Sequence, residues 1–371
     1  MRTTQREQSR FGTPQAIHRI LELGLKGLPP SRKDALRLMR WDSVEEFYSL
    51  CSAAAQVRAS RLGTRVFVYG FAYFSTYCRN DCRFCFYRKQ NTRCQRYRKD
   101  PERISEIAQL LERSGVHLID LTSGEDPILY QGSRFEPLVR MVRLVNDATD
   151  LGIMVSPGVL PRSALRSLKE AGADWYALYQ ETHNKGIYSK LRIGQDYGTR
   201  LETKLNAHKE GLLIEDGILL GVGESHDDRV DSIFEMKRIG ASQVRAMGFV
   251  PQDGTPMQNH HSPPIADEMT TMAVMRLVHR DKLMPASLDI DGLKGLALRL
   301  ASGANVISSV IPPKLGLAGV AQAQLGVDEG LRTVDAVRPH IERLGLQIAS
   351  KKSYARWLDE EKERQTGTAN E

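Results

Sequence analysis

The sequence predicts an α/β protein, a TIM-type (βα)8 barrel with an N-terminal helical extension. Eight short apolar segments, each typical of a buried strand, alternate with segments whose apolar residues recur at helical spacing. Eight such units over about 250 residues are what a closed parallel barrel needs. A doubly wound open sheet is the alternative, although it does not require eight units. The predicted strands are residues 66–75, 116–123, 152–158, 174–181, 215–223, 243–250, 283–290 and 304–311.

The segments between these strands predict the barrel helices, several of which end at glycine, a common residue just after a helix C-terminus. Residues 1–62 are expected to form a helical segment that packs on the barrel, with one helix starting at Ser31 after two prolines. The barrel is expected to span residues 63–350. The charged residues 351–371 are expected to form a tail that frays. The predicted helices between strands are residues 101–115, 161–172, 227–240 and 266–280.

Composition and cysteine usage are those of a globular protein in a reducing compartment. The 371 residues are 41% hydrophobic and 26% charged, and no apolar run reaches ~18 residues, so no membrane span is expected. The first residues lack the apolar centre of a secretory signal. Five cysteines, an odd number with three of them clustered, argue against a disulfide framework and favour the cytoplasm.

The net charge of +7 keeps nucleic-acid binding open as a function class, although the basic residues are spread along the chain. The densest basic segment is residues 88–99, directly after three cysteines. It has two interpretations, a solvated loop surface or a basic rim beside a site that holds anions. The sequence favours neither strongly.

Three cysteines lie close together just after the first predicted strand, at the end of the barrel where active sites form. Cys78, Cys82 and Cys85 are separated by three and then two residues. Three independent structural thiols are improbable at this spacing, and a zinc site would need a fourth ligand such as Cys94 or Cys51. An iron–sulfur cube held by three thiolates is the third interpretation, and it leaves one iron open for a reactant.

This motif resembles that of the radical S-adenosylmethionine (SAM) superfamily. The resemblance implies a 4Fe–4S cluster on the three cysteines, with SAM chelated to the open iron. It also implies that Phe84 lies against the adenine, and Tyr87 is a second candidate for the cofactor site. Loop packing is the alternative for both aromatic residues, and for Phe84 we favour the cofactor contact. The other cofactor-binding residues that it suggests are Glu125 after strand two, Ser156 after strand three, Glu181 after strand four, and Arg192.

Charged and hydroxyl residues within apolar strands predict a pocket inside the barrel. Asp120 and Arg245 each interrupt an apolar segment, and an unpaired charge is costly to bury. Ser287 and Asp289 are two residues apart and therefore share one face of a strand. A structural network, for example Arg245 with Asp289, is one interpretation. The interpretation we favour is a site for a small zwitterion such as lysine, in which arginine binds the carboxylate and the aspartates bind ammonium groups.

Longer strings, among them YFSTYCRNDCRFCFY, ALYQETHNKGIYSKLRIGQ and VRAMGFVPQDGTP, resemble the methylornithine synthases of pyrrolysine biosynthesis, a biotin-synthase-like group. The resemblance covers roughly residues 60–345. It implies an isomerase that converts L-lysine to (3R)-3-methyl-D-ornithine by radical cleavage and re-formation of a carbon–carbon bond. It also implies a flavodoxin or ferredoxin as electron donor, with no nucleic-acid or membrane partner. The implied substrate residues are Asp120, Arg245, Ser287 and Asp289, and no side chain is assigned as an acid–base catalyst.

Two alternatives stay open at this stage. The first is another biotin-synthase-like radical enzyme, with a different amino-acid substrate or a role in metallocofactor maturation. The second is a zinc-containing RNA-binding protein, suggested by the basic segment 88–99 and dependent on Cys94 as a ligand.

Overall fold

The computed structural model describes residues 14–131, 135–317, 319 and 331–368. Eight parallel strands form one sheet in the order β6-β5-β4-β3-β2-β1-β8-β7, and a short ninth strand pairs with β1. All eight predicted strands are therefore present. They are β1 (Arg65–Ser75), β2 (Leu118–Ser123), β3 (Gly152–Ser156), β4 (Trp175–Ala177), β5 (Leu213–Leu220), β6 (Gln243–Gly248), β7 (Pro285–Ser287), β8 (Val306–Val310) and β9 (Gln347–Ile348).

The sheet closes on itself between β6 and β7, so the predicted barrel is confirmed. The Val244 amide donates to the Leu283 carbonyl at 3.0 Å, and the Leu283 amide donates to the Ser242 carbonyl at 3.0 Å. Apart from its first residue, every residue of β1 is buried, because helices cover one face of each strand and the barrel interior covers the other. Side chains alternate between these two environments along each strand.

Helices follow most of the strands, as in a (βα)8 barrel. The α4 helix starts at Pro101, a residue suited to the first turn, and ends at Gly115 with a left-handed φ of 91°. The helices are α1 (Pro14–Leu25), α2 (Arg32–Leu38), α3 (Val44–Leu62), α4 (Pro101–Ser114), α5 (Glu136–Ala148), α6 (Arg162–Glu170), α7 (Lys185–Leu191), α8 (Tyr197–Lys209), α9 (His226–Arg238), α10 (Ile265–Val278), α11 (Leu296–Ala301), α12 (Val334–Glu342) and α13 (Lys351–Thr368). None of the described helices is long and apolar enough to cross a membrane.

The helices before β1 pack on the outside of the barrel. Ser31 is the N-cap of α2 in a reciprocal capping box, as the sequence predicts. The Trp41 indole donates to the Thr270 hydroxyl on α10 at 3.0 Å. The predicted boundaries of the three chain segments remain a prediction, and residues 1–13 and 369–371 lie outside the described part of the chain.

The expectation that the last segment frays is wrong for residues 351–368, which form α13 across the amino-terminal end of the barrel. The Trp357 ring stacks on the ring of Trp175 in β4, with centroids 5.8 Å apart and planes at 5°. The Trp175 indole donates to the Tyr354 hydroxyl at 3.2 Å. The many charged residues of α13 made the segment look like a charged tail, so its apolar face was not predicted from the sequence.

Replacing Trp357 by alanine removes a side chain that is 7% exposed and stacked on the barrel floor. We expect the free energy of unfolding to fall by about 3–5 kcal/mol, the usual cost of deleting a buried large aromatic side chain. Chemical denaturation followed by circular dichroism measures the change. The matched control is Tyr48→Ala, at an aromatic residue that is 64% exposed, for which the loss should stay below about 1 kcal/mol. Equal losses in the two variants would contradict the packing role of α13.

Candidate active site

The three clustered cysteines lie in the long connection between β1 and α4, at the carboxyl end of the barrel. We call residues 76–100 the cluster loop. Cys82 is buried, whereas Cys78 and Cys85 are partly exposed. None of the five cysteines, all within the described residues, is in a disulfide.

Arg96 holds the cluster loop together from inside. Its guanidinium donates to four backbone carbonyls, those of Thr76, Tyr87 at 2.9 Å, Arg88 at 2.6 Å and Asn91 at 3.2 Å. A planar cation with five N–H groups suits this task because it donates in several directions at once. Both ends of the cysteine segment are thereby tied to one side chain.

The other basic residues of this region are also engaged within the protein. Arg98 donates to both carboxylate oxygens of Asp126, at 2.6 and 2.8 Å, and its guanidinium lies over the Tyr77 ring. Arg88 lies 3.6 Å from Asp81, and Arg93 lies 3.1 Å from Asp253. Neither interpretation of the basic segment 88–99 therefore describes it fully, because much of its charge is used to shape the loop.

Hydrogen-bond donors point at the sulfur of Cys82 from the turn after α7. The Gln195 side-chain amide lies 3.0 Å from this sulfur, and a guanidinium nitrogen of Arg192 lies 3.5 Å from it. Burial raises the pKa of the Cys78 thiol to about 11, and burial with the charges of Cys82 and Cys78 raises the pKa of Cys85 well above its usual range. Three thiolates this close together therefore require a positively charged centre between them.

The described residues do not form a site for a single metal ion. Among the described residues, no three His, Cys, Asp or Glu side chains are close enough to hold one metal ion. In a 4Fe–4S cube each cysteine binds a different iron, so the sulfurs stand further apart than around one zinc ion. Cys94 donates to the adjacent Gln95 carbonyl at 3.6 Å, which gives no support to its role as a fourth zinc ligand.

Gly124 brings the loop after β2 against the cluster loop. A Cβ atom at this position would lie 2.4 Å from the Tyr77 carbonyl oxygen and 2.7 Å from the Cys78 Cβ. The close approach of backbone that this glycine permits is to the cysteine segment itself. A side chain at Gly124 would displace Cys78.

The carboxylate of Glu125 is already bound by groups from several loops of the protein. Its carboxylate accepts from Arg79 at 3.0 Å and from the Val159 amide at 3.0 Å, and it lies 3.8 Å from Arg200. Gly158, with a φ of 92°, leaves room for this side chain, since a Cβ there would lie 2.0 Å from the Glu125 Cγ. Glu125 thus joins the ends of β2 and β3 to the cluster loop.

Glu181 and Arg192 form a buried pair at the rim, next to the cysteines. An Arg192 nitrogen lies 2.5 Å from a Glu181 oxygen, and each side chain is about nine-tenths buried. Glu181 has a left-handed φ of 66°, which is a strained backbone conformation for a residue other than glycine. The β4 strand ends before it, at Ala177, and is shorter than its prediction. The Arg192 guanidinium lies 5.3 Å from the centre of the half-buried Phe84 ring. These three residues and Cys82 lie together at the rim, and their contact with a cofactor remains a prediction.

Tyr87 lies deeper than its neighbour Phe84. It is 1% exposed, and its ring meets that of Tyr73 edge to face at 6.5 Å. Loop packing therefore accounts for its position. No observation here tests a contact between Tyr87 and a cofactor.

Asp120 lies inside the barrel and accepts a hydrogen bond from Ser156 at 2.8 Å. Burial, with the charge of Glu215 as a further cause, raises the pKa of Asp120 to about 7. Hydrogen bonding from Ser156 and the charge of Arg245 oppose this rise. Asp120 is thus a carboxyl group that changes its charge near neutral pH and that a bound cation can hold ionised.

Arg245 is buried in β6 and pairs with Glu215 in β5, with its Nε 2.7 Å from the carboxylate. It also donates to Ser308 at 3.2 Å. Its second terminal nitrogen, Nη2, is buried and has no hydrogen-bond partner among the described residues, and the same holds for one oxygen of Glu215. A buried guanidinium nitrogen without an acceptor is costly, so Arg245 is suited to receive an anionic group.

Asp289 is held by several donors at the end of β7. Ser309 donates to it at 2.6 Å, Tyr73 lies at 3.2 Å from both oxygens, and Arg332 forms a short ion pair with it. Ser287 lies 3.5 Å from the same carboxylate, but β7 ends at Ser287 and Asp289 lies in the turn that follows, so the prediction that the two share one face of a strand is wrong. Arg245 and Asp289 therefore have separate partners, and the structural pairing of one with the other that we considered is not present.

Sequence analysis missed two charged residues of the interior, Glu215 and Arg332. Glu215 belongs to the string IEDGILL, in which an acid interrupts an apolar strand as Asp120 does, so the same signal was available. Its neighbour Asp216 faces outward and pairs with the buried Lys204 at 2.5 Å. Arg332 lies in a loop far along the chain, where no strand pattern marks it.

A parallel barrel with three cysteines at the carboxyl end of its first strand, spaced to hold a cluster, defines the class of radical SAM enzymes. The family model of the radical SAM superfamily matches residues 72–236. The chain is 39% identical to 3-methylornithine synthase of Methanosarcina acetivorans over 335 residues, covering 90% of this chain and 94% of that protein. It is 31% identical to the [FeFe] hydrogenase maturase subunit HydE of Thermotoga maritima, covering 70% and 74%.

A crystal structure of methylornithine synthase (PylB) superposes with a TM-score of 0.86 at 36% identity, covering 91% of this chain and 99% of that one. The chain therefore belongs to the radical SAM superfamily and, within it, to the methylornithine synthase family. Its cofactors are a 4Fe–4S cluster and SAM, as the cysteine motif predicted. The residues that contact them remain a prediction.

Replacing Arg96 by alanine tests how the cluster loop keeps its shape. Four carbonyls lose a charged donor, and each such hydrogen bond contributes about 1.5–3 kcal/mol. We expect cluster content after anaerobic reconstitution to fall at least roughly tenfold, since even one such bond exceeds the 1.4 kcal/mol of a tenfold change. Iron, sulfide and the absorbance of the cluster measure it.

The control for this variant is Arg93→Ala, which removes an arginine from the same loop whose side chain is 63% exposed. Cluster content of this control should match that of the unmodified protein. Normal cluster content in Arg96→Ala would show that the shape of the cluster loop does not depend on the hydrogen bonds of Arg96.

Proposed function

We propose that this chain is a radical SAM mutase that isomerises L-lysine to (3R)-3-methyl-D-ornithine, the first step of pyrrolysine biosynthesis. The names of its relatives from Methanosarcina and of the PylB structure support this activity. The observation within the chain that carries the proposal is the buried Nη2 of Arg245, which faces the barrel interior with no acceptor.

The charge inside the barrel is suited to lysine. Three carboxylates, those of Asp120, Glu215 and Asp289, and two guanidinium groups, those of Arg245 and Arg332, are all buried there. When ionised they leave one negative charge, and zwitterionic lysine with two ammonium groups and one carboxylate carries one positive charge. Binding lysine would therefore neutralise the interior.

Arg245 is the residue we assign to the substrate carboxylate, since its Nη2 is a buried donor that has no acceptor among the described residues. Asp120 is our candidate for an ammonium group, because a bound cation would compensate the burial of its charge. Asp289 already accepts from Arg332, Ser309 and Tyr73. We assign it, with Ser287, to shaping the wall of the pocket beside the substrate.

The cluster and SAM, when bound, supply a carbon-centred radical that abstracts a hydrogen atom from the substrate. Phe84, Glu181 and Arg192 are our candidates for positioning SAM above the barrel, because they lie next to Cys82. Ser156 and Glu125 would complete this rim, and the place of Tyr87 in the cofactor site stays a prediction. The fixed charges below the rim would keep both substrate fragments in place, and burial would exclude water and other hydrogen donors.

The proposal includes a partner and a compartment. The cluster must be reduced by one electron, for which a flavodoxin or a ferredoxin is a suitable donor. Exposure of thiolates to an oxidising medium would destroy the ligands, so a reducing cytoplasm is the compartment that suits this chain.

The first test is an anaerobic incubation of the reconstituted protein with SAM, dithionite and L-lysine, followed by mass spectrometry of derivatised amino acids. We expect an isomer of lysine, together with 5′-deoxyadenosine, and neither in Cys82→Ala. In Arg245→Lys, which keeps the charge but removes the forked donor, we expect isomer formation to fall at least about a hundredfold, equivalent to losing one buried charged hydrogen bond of about 3 kcal/mol.

Three outcomes of this assay separate the alternatives. Isomer formation that depends on Arg245 supports the mutase. Formation of 5′-deoxyadenosine without an isomer from any added amino acid would favour a maturation activity like that in the name of the HydE relative. Absence of both products in protein with a full cluster would refute the radical mutase.

The second test is the pH dependence of lysine binding. Because burial and then Glu215 raise the pKa of Asp120 to about 7, an ammonium group must displace a proton from Asp120 below that pH. Affinity for lysine should therefore fall by up to about tenfold per unit as pH drops below 7, and level off above it. Anaerobic equilibrium dialysis with cluster and SAM present measures this. Asp120→Asn should bind weakly with a flat profile, and equal affinity of the unmodified protein at pH 6 and pH 8 would exclude Asp120 as the ammonium ligand.

A further inference from the structure

A second cavity lies at the opposite end of the barrel from the cluster loop. It has a volume of about 490 Å³ and is bounded by the end of α3, the start of β1, the connection from α10 to β7, and α13. Arg65 at its wall is the first residue of β1, and Ser75, next to the cluster loop, is the last. At about 3.3 Å per residue the strand separates the two sites by roughly 30 Å. The cavity is therefore not part of the candidate active site.

Positive charge dominates the wall of this cavity. Asp281 and Glu360 are the acids that line it, against five guanidinium groups. The arginines come from three separate stretches of the chain, so the fold brings them together. They are Arg61, Arg65, Arg280, Arg356 and Arg364.

Much of this charge has no ion-pair partner within the part of the chain that the structure describes. Arg364 pairs with Glu361 at 2.7 Å, and Arg65 donates to the Leu62 carbonyl at 3.2 Å. Arg61 and Arg356, by contrast, form no ion pair with any described residue. The two acids of the wall are also outside every ion pair of the described chain.

Arg280 carries the clearest sign of an absent anion. Its Nε is buried and has no acceptor among the described residues, although one terminal nitrogen donates to the Gly24 carbonyl. Burial and the like charge of Arg61 lower the pKa of Arg280, with Asp281 acting in the opposite direction. Two guanidinium groups that repel each other across a cavity are stabilised by an anion between them.

We propose that this arginine-lined cavity binds a phosphate-bearing small molecule, either inorganic pyrophosphate or the phosphate chain of a nucleotide. Guanidinium groups match phosphate because their forked N–H donors bond two oxygens of one group. Several such forks converge here, and the volume is within the range of small-molecule sites. Binding joins α3, the α10–β7 connection and α13, so it holds the C-terminal helix against the barrel floor.

The test is isothermal titration of the anaerobic holoprotein with sodium pyrophosphate at fixed ionic strength, while absorbance confirms that the cluster stays intact. We expect one saturable site per chain with a Kd of about 0.1 mM. In the double variant Arg61→Gln, Arg356→Gln the affinity should fall at least about tenfold, since both exposed cations lose their charge. Hydrogen–deuterium exchange in α13 should slow on binding in the unmodified protein and not in the variant.

The matched control is Arg103→Gln with Arg140→Gln, which removes the same charge from the surface around α4 and α5. These arginines form ion pairs with Glu106 and Glu102, away from the cavity. The affinity of this control variant for pyrophosphate should equal that of the unmodified protein. Titration with ATP identifies the source of the phosphate, because a nucleotide site binds ATP more tightly than pyrophosphate and a free-phosphate site does not.

Two results would overturn the proposal. One is no saturable binding of either probe up to roughly 5 mM, fifty times the expected Kd. The other is equal weakening in the cavity variant and the control, which would identify the effect as general attraction to a basic protein. Mutase activity does not enter any of these measurements, so the result is independent of the proposed function.

Discussion

The rest of the site depends on the hydrogen bonds that the Arg96 guanidinium donates to four backbone carbonyls. Residues 76–100 contain almost no regular secondary structure, so strand and helix hydrogen bonds do not shape them. One guanidinium supplies what a helix or sheet would otherwise provide, a common set of donors for several carbonyls. Gly124 then lets the end of β2 pack directly on this loop. The position of the three thiols thus follows from contacts of Arg96 and Gly124 with the loop backbone, in addition to the cysteines' own.

Inside the barrel, most charged side chains form ion pairs, and a few of their polar atoms have no hydrogen-bond partner among the described residues. Glu215 holds Arg245 by its Nε, which orients the guanidinium while leaving Nη2 free. Arg332 holds Asp289 in the same way from the other side. Both pairs restrain their side chains within the protein itself, and a group that is already held in place loses less freedom if it binds a ligand. Asp120 is different because it forms no ion pair of this kind with the described residues. It accepts a hydrogen bond from Ser156, and its pKa depends on burial and on the neighbouring charges of Glu215 and Arg245.

Much of the fold could be predicted because its signals are local. Eight apolar segments and the capping residue Ser31 are visible in a window of a few residues, and each predicted strand is found. The charged interior was partly predictable for the same reason, since Asp120 and Arg245 interrupt apolar strands. Arg332 and the stacking of Trp357 on Trp175 depend on which distant segments meet, which no local pattern contains. The basic segment 88–99 was ambiguous because its partners, such as Asp126 and Asp253, are supplied by other loops.

The α13 helix across the barrel floor has a consequence for the order of events in catalysis. Tyr354 and Trp357 cover the amino-terminal end of the barrel. A small molecule would therefore enter the interior from the carboxyl ends of the strands. That rim is also where the cluster loop and the Glu181–Arg192 pair lie. In the proposed mutase, lysine held by Arg245 and Asp120 would therefore pass the proposed SAM position on its way in, and the product would pass it again on its way out. For that proposed arrangement we expect an ordered mechanism, in which lysine binds before SAM and the amino-acid product leaves last.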